Sequence, residues 1–264
     1  MSQDFSGKVV AISGAARGIG AAHVKEFLRR GANVVALDRQ WDTSDAFHGD
    51  LVEEAAALPL SCDITSQEDV DSAFAATIEE WGTVDVLINN AAMRQRDFYP
   101  ANGVSAVLNT EDWQWDKMFA INVTGTLKLT RAFIRPMLEK RSGSIVNISA
   151  NGSVTIDEGG GVYSGSHPHL LNQPYDATKA ALTSMSFYLA DEVKARNVAV
   201  NIVFPGPTRT TGSDEMVEGR RKAGAPLSAL LEPSHLFPVV FYLAKQTDGG
   251  VTGRAFDARK WSLW

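Results

Sequence analysis

The segment Lys8–Asp38, KVVAISGAARGIGAAHVKEFLRRGANVVALD, constrains the fold more than any other stretch of the chain. Val9-Val10-Ala11-Ile12 is an unbroken apolar run, as expected of a strand buried on both faces. Glycines follow at 14, 18 and 20, and helix-compatible sequence runs from about Ile19 to Arg30, with Ala22, Phe27 and Leu28 for an inner face. Gly31 stops that helix. Asn33-Val34-Val35-Ala36-Leu37 then reads as a second strand ending on Asp38. The result is one β-α-β unit of about thirty residues, the length a parallel crossover needs.

The glycines give the unit a ligand class. A helix N-terminus offers unpaired N–H groups and the positive end of its dipole to a phosphate. The backbone must then approach closely, where a Cβ would intrude. Strand before, helix after and an acid about twenty residues on together indicate a dinucleotide. Asp38 chooses between dinucleotides, because a carboxylate at the end of the second strand can accept from both ribose hydroxyls of NAD. A 2′-phosphate would meet like charge there, costing about 4 kcal/mol per charge pair at roughly 4 Å and an effective dielectric of about 20. Arg17 and Arg39 are placed to hold such a phosphate, so NADP is the alternative to the favoured NAD.

At 264 residues the chain fits one large α/β domain, 1–264, better than two. Its 44% hydrophobic and 21% charged residues suit a globular protein with a sizeable core. A net charge of −6 without a dense basic run argues against nucleic acid. No apolar run is long enough for a membrane span, and MSQDFSGK lacks an apolar signal core. Cys62, the single cysteine, reads as an inert buried thiol. A cytoplasmic location is expected.

Further along, Trp41–Asp50 reads as a surface loop, Leu51–Leu58 as a short helix and Leu58–Cys62 as a third strand ending at Asp63. Thr65-Ser66-Gln67-Glu68 has capping-box spacing and predicts a helix to about Trp81. Val84–Ile88 predicts a fourth strand running into Asn89-Asn90-Ala91-Ala92. A polar connection, Arg94–Thr110, leads to a long helix over Glu111–Lys140, with Met118, Phe119, Ile121, Leu127 and Phe133 among its apolar positions. Ser144–Ser149 is a fifth strand. Ala150–Pro174 has no clean period and reads as a loop. Helix resumes from Tyr175 to about Arg196, a sixth strand spans Ala199–Phe204, residues 211–232 are polar or mixed, and Pro233–Lys245 is helical. Alternating strands and helices predict a doubly wound parallel sheet with helices on both faces.

This pattern resembles the classical short-chain dehydrogenase/reductase family over nearly the whole chain. The matching segments, in family order, are SGAARGIG, Asp38, Cys62-Asp63-Ile64, NNAA, Ile121-Asn122-Val123-Thr124-Gly125, IVNIS, YDATK and PGPTRT. The resemblance implies a Rossmann-like fold and an NAD cofactor. Gly14, Gly18 and Gly20 would line the pyrophosphate, with Ile19 helping through its backbone. Asp63, between Cys62 and Ile64, would touch the adenine ring, and Asn89, Asn90 and Ala91 would serve the cofactor ribose and the sheet. Pro205, Gly206, Thr208 and Thr210 would hold the nicotinamide carboxamide.

Tyr175 and Lys179, four residues apart, share one helix face and can serve one site. Oxidising an alcohol requires removal of its hydroxyl proton, and a tyrosine with pKa near 10 is a poor base at neutral pH. A neighbouring Lys179 ammonium and the positive nicotinamide together favour the phenolate, and Lys179 can also hold the nicotinamide ribose. Asn122 resembles the family's helix-kink asparagine, which supports a water relay. Two departures stand out. The family's catalytic serine aligns with Ala150, leaving Ser149, Ser153 or a loop group such as Ser164 or His167 to supply the donor, Ser153 slightly favoured. The 150–174 connection is about twice the family's usual length and, with 211–232, should shape the substrate pocket. His167 and His169 read as loop histidines, and no metal is expected.

The expectation is therefore an NAD-dependent dehydrogenase of a secondary alcohol (cyclic, sugar or diol) or a reductase of the matching ketone, with Tyr175 as general acid and base. A catalytically weak NAD-binding sensor or scaffold is the alternative. Expected partners are a small-molecule alcohol or ketone, with neither nucleic acid nor membrane. The C-terminal tryptophans, Trp261 and Trp264, are expected to pack against another subunit of a homotetramer or homodimer.

Overall fold

In the computed structural model we describe residues 4–41, 46–94, 97–98, 105–150, 154–156, 162–164, 172–211, 213–222, 224, 229–247 and 250–261. The strands are β1 (Val9–Ser13), β2 (Asn33–Asp38), β3 (Ala57–Ser61), β4 (Val86–Asn89), β5 (Gly143–Ile148), β6 (Val154–Ile156), β7 (Val162–Ser164), β8 (Val198–Phe204) and β9 (Ala255–Asp257). Seven of them form one sheet in the order β3-β2-β1-β4-β5-β8-β9, with every pairing parallel. The strand order reverses direction between β1 and β4, the crevice in which doubly wound folds bind ligands.

The period of two along each strand divides the core. Val10, Ile12, Val34, Ala36, Ile88 and Val146 face α1 (Gly18–Arg29) and α9 (Phe237–Ala244). Val9, Ala11, Val35, Leu37, Leu87 and Ile145 face the other way, against α3 (Gln67–Trp81), α5 (Thr126–Phe133) and α7 (Tyr175–Val193). Burial on both faces is why these strands read as unbroken apolar runs. Among the described residues no helix is long and apolar enough to cross a membrane.

Several local expectations need correction. The second helix, α2, spans Ala46–Glu53, earlier than expected, because Leu51 is buried and Phe47 packs on the core beside Trp41. Ser66, the second residue of the predicted capping box, caps α3 by accepting from Asp69 N at 3.2 Å. The long helix predicted over 111–140 is segmented: α4 (Asp112–Phe119), a π-helical turn (Ala120–Gly125), α5, and α6 (Arg135–Lys140), which restarts at Pro136. Within 150–174, β6 and β7 pair as an antiparallel hairpin. Residues 213–222 form a helix, α8 (Ser213–Lys222), and β9 is a strand that the pattern did not reveal. Trp261 packs within its own chain, 5.0 Å from the Tyr242 ring and 5.4 Å from that of Phe256; Trp264 lies outside the described residues.

Candidate active site

Every motif residue described stands at or just past the carboxyl end of a sheet strand, or on a helix that faces that edge. Gly14 follows β1 with φ +67°, and a Cβ there would lie 2.8 Å from Ala91 Cα. A Cβ on Gly20 would lie 2.0 Å from Gly14 O, so the loop closes on itself only without side chains. Asn90 Nδ2 locks it by donating to Ser13 O and Gly14 O, and Ser13 Oγ accepts from the N–H groups of Asn90 and Ala91. No side chain caps the start of α1, and its first turn holds no acid. Gly18 and Ile19 thus open a helix whose positive end is free for an anion, and the exposed Arg17 precedes them.

Asp38 closes β2. Its carboxylate accepts from Ala16 N at 3.0 Å and Gln40 N at 3.1 Å, which aims it across the glycine loop. Arg39 beside it is exposed. Asp63 Oδ1 accepts from Thr65 N and Thr65 Oγ1, holding the turn after β3. Ile64 is buried against Gly125, and Cys62 is buried with its thiol pushed up to about 12, first by burial and then by Asp69 and Asp63. Asn89 does not line the cleft. It is 3% exposed, and its Nδ2 is bound to Thr130 Oγ1 and Asn147 Oδ1, tying β4 to α5 and β5.

The phenol end is assembled through Asn122. The π-helical turn widens the helix and turns this side chain inward, where Oδ1 accepts from Met93 N (2.7 Å) and Nδ2 donates to Met93 O and Thr178 Oγ1 (2.9 Å each). Thr178 Oγ1 donates to Tyr175 O at 2.7 Å, so one asparagine joins the segment after β4 to the first turn of α7. The sequence singles out neither Met93, which follows NNAA, nor Thr178, which lies inside YDATK without a role of its own. On the same face of α7, Lys179 Nζ stands 5.8 Å from the Tyr175 ring centroid and donates to Ile148 O at 2.8 Å.

Lys179 is not among the groups that shift Tyr175 here. Burial pushes Tyr175 above its usual value, and the charges of Asp176 and Asp97 push the same way; Arg94 opposes them. Burial also lowers Lys179 to about 8. Tyr175 by itself is therefore a protonated donor.

Ser149 is not presented as a donor. It is 1% exposed, and its hydroxyl donates to Lys179 O at 3.0 Å and shares a 2.9 Å bond with Thr183 Oγ1. Ser153 and His167, and the side chain of Ser164, lie outside the described residues. Pro205, Gly206, Thr208 and Thr210 follow β8. Thr208 Oγ1 donates to Gly206 O at 3.2 Å, and the Thr210 methyl comes within 3.1 Å of where a Cβ on Gly18 would project. That contact brings the 205–210 segment against the glycine loop. Among the described residues no three His, Cys, Asp or Glu side chains gather as a metal site.

A family model described as short chain dehydrogenase matches residues 8–221. A fluoren-9-ol dehydrogenase from Terrabacter sp. strain DBF63 is 40% identical over 260 residues, 98% of this chain and 72% of that one. A 3-oxoacyl-[acyl-carrier-protein] reductase from Thermotoga maritima is 31% identical over 258 residues, 95% of each. Among solved structures, a 3-ketoacyl-(acyl-carrier-protein) reductase from Brucella melitensis complexed with NADH superposes with a TM-score of 0.78 at 27% identity, covering 96% of this chain and 97% of that one.

Proposed function

Because the chain belongs to the short-chain dehydrogenase family, we propose that it moves a hydride between NAD and a secondary alcohol or the matching ketone, with Tyr175 handling the proton. The observation that carries this is the pairing of Tyr175 and Lys179 on one face of α7, with Lys179 Nζ anchored on Ile148 O at the carboxyl edge of the sheet. A dinucleotide fits what the chain offers. The uncapped start of α1, with Gly18, Ile19 and Gly20, would take the pyrophosphate, and Asp38 the adenosine ribose diol. Asp38 supports NAD over NADP, since two backbone donors hold its carboxylate at the end of β2, beside the glycine loop, and a carboxylate there would repel a 2′-phosphate. When bound, the nicotinamide would supply or accept the hydride.

The chain's own groups then divide the work. Tyr175, protonated and raised by burial, is a ready donor to a carbonyl oxygen in reduction. In oxidation the same oxygen must lose its proton first, and Lys179 and Arg94 are the cations beside it. Asn122 fixes the first turn of α7 through Thr178, so the phenol is presented from a rigid element. For the substrate we propose a cyclic secondary alcohol flanked by aromatic carbon, of which fluoren-9-ol is the first to try. Phe98, next to Asp97, packs edge-on against Trp113 at 5.1 Å, and Trp113 is 51% exposed.

Purified protein offered NAD or NADP with fluoren-9-ol and a panel of alcohols and ketones is the test. Turnover with NAD on at least one of them is expected. Tight NAD binding without turnover on any would instead support the sensor or scaffold reading.

A further inference from the structure

His235 stands on the short turn Pro233–Leu236 just ahead of α9. Its Nδ1 lies 2.6 Å from Glu232 O and its Nε2 lies 2.6 Å from Pro205 O. A carbonyl oxygen only accepts, whereas a neutral imidazole has one N–H and one lone pair. Either neutral tautomer therefore sets a lone pair against a carbonyl at one of the two contacts. The imidazolium alone satisfies both.

The second carbonyl matters because Pro205 opens the segment that ends at Thr210 against Gly18. Further along, the segment is fastened by Leu231 N to Pro207 O, by Arg209 N to Leu231 O, by the Arg209 guanidinium to Glu232 and Asp214, and by Thr210 N to Ser213 Oγ. His235 is the side chain that ties its first residue to the start of α9. We infer that His235 is a positioning residue for the cofactor, a doubly donating clasp that seats Pro205–Thr210 and loosens when the ring loses a proton. This rests on the reading of 205–210 as the nicotinamide-side wall.

Three elements present charged or titratable groups to the ring. On its own turn, the Glu232 carboxylate is taken by Arg209 Nε at 2.9 Å. From the segment after β9, Arg259 is held by Asp257. From α1, His23 faces it as an uncharged ring, its pKa lowered to about 4 mainly by burial. A cavity of about 480 Å³ lined by Pro207, Leu231, His235, Arg259 and Trp261 gives water access to the imidazole.

Two measurements test this on the full chain, compared with His235→Gln, whose fold is checked by circular dichroism. The first is the Kd for NADH, by fluorescence, from about pH 5.5 to about pH 8.5, a range histidine spans. The wild type should weaken roughly tenfold as pH rises, as expected for losing one charge-assisted bond, while His235→Gln should be weak and flat. The second is hydrogen exchange at Arg209 and Leu231, corrected for intrinsic rates, which needs no cofactor. Protection should fall with pH in the wild type and be low throughout in the variant. Equal protection in both proteins at every pH overturns the clasp. Normal clasp behaviour in exchange with no NADH binding at any pH would leave His235 where we put it and sink the cofactor reading instead.

Discussion

The two ends of the cleft are built on different principles. At the glycine loop the binding groups are backbone, and the side chains around them serve to hold that backbone: Asn90 on Gly14, and Ser13 on Asn90 and Ala91. At the phenol the groups we propose to work are side chains of α7, aligned by one buried amide, Asn122 of the π-helical turn, which also holds the backbone of Met93 after β4. Backbone sites tolerate little change of shape but need no titration. Side-chain sites trade rigidity for a proton that can move, so they answer to pH and to charge.

The largest effect should come at the phenol. Tyr175→Phe is expected to lower kcat by about 10³-fold, within the range for a lost general acid or base, and to leave the Kd for NADH within a few-fold. Turnover surviving the change would break the comparison by removing the titrating group from it. The same phenol predicts an asymmetry in pH. Because Tyr175 is pushed above its usual value, the fraction ionised rises tenfold per pH unit through neutrality, so alcohol oxidation should climb with pH. Ketone reduction, served by the protonated form, should not rise with it.

The second effect belongs to the glycine-loop end and concerns stability. His23 on α1 is 1% exposed, donates from Nδ1 to Ile19 O at 2.8 Å, and buries an unpartnered Nε2 among Phe27, Phe237 and Phe241. Burial lowers it from 6.5 to about 4 in the folded chain. Between those values the unfolded chain binds the proton and the folded chain does not, so stability falls as pH drops from about 6.5 towards 4. The loss should reach on the order of 3 kcal/mol. Urea denaturation at a series of pH values would measure it, and His23→Leu should flatten the slope in that window.

Third comes Asp38→Ala, which should reduce the preference for NAD over NADP by about tenfold or more, as a repulsive charge is removed while Arg17 and Arg39 remain exposed nearby. An unchanged ratio of kcat/KM values would mean that the carboxylate does not face the ribose.

What was legible follows from how local each signal is. The β1-α1-β2 unit ending on Asp38 is written in one continuous stretch and the Tyr175–Lys179 spacing in a single helical turn, and each falls on the element its pattern predicts. The partners of Asn89 are 41 and 58 residues away, so nothing near it announces a sheet-tying amide. The strand β9 is three residues long and exists because β8 offers an edge for it. The helix α8, SDEMVEGRRK, has no apolar stripe to show a period. The ring partners of Trp261, Tyr242 and Phe256, are 19 and 5 residues away on other elements, so nothing local announces its packing within the chain.

The smallest effect on catalysis should come from Ser149→Ala, and it separates the two ends most finely. A serine beside Ala150, at the position where the family's reaction uses a hydroxyl, suggests a one-residue substitute. Yet its hydroxyl points into α7, bound to Lys179 O and Thr183 Oγ1 in a site with 1% exposure. Removing it leaves Thr183 Oγ1 still donating to Lys179 O at 2.8 Å, so no buried donor is orphaned. The expected cost is about 1 kcal/mol of stability with kcat changed by less than about threefold. A fall in kcat of about a hundredfold at unchanged stability would mean the hydroxyl swings to the substrate during turnover. The end of β5 would then be a moving catalytic part rather than a fixed support for Lys179, and the phenol end would depend on strand as well as helix.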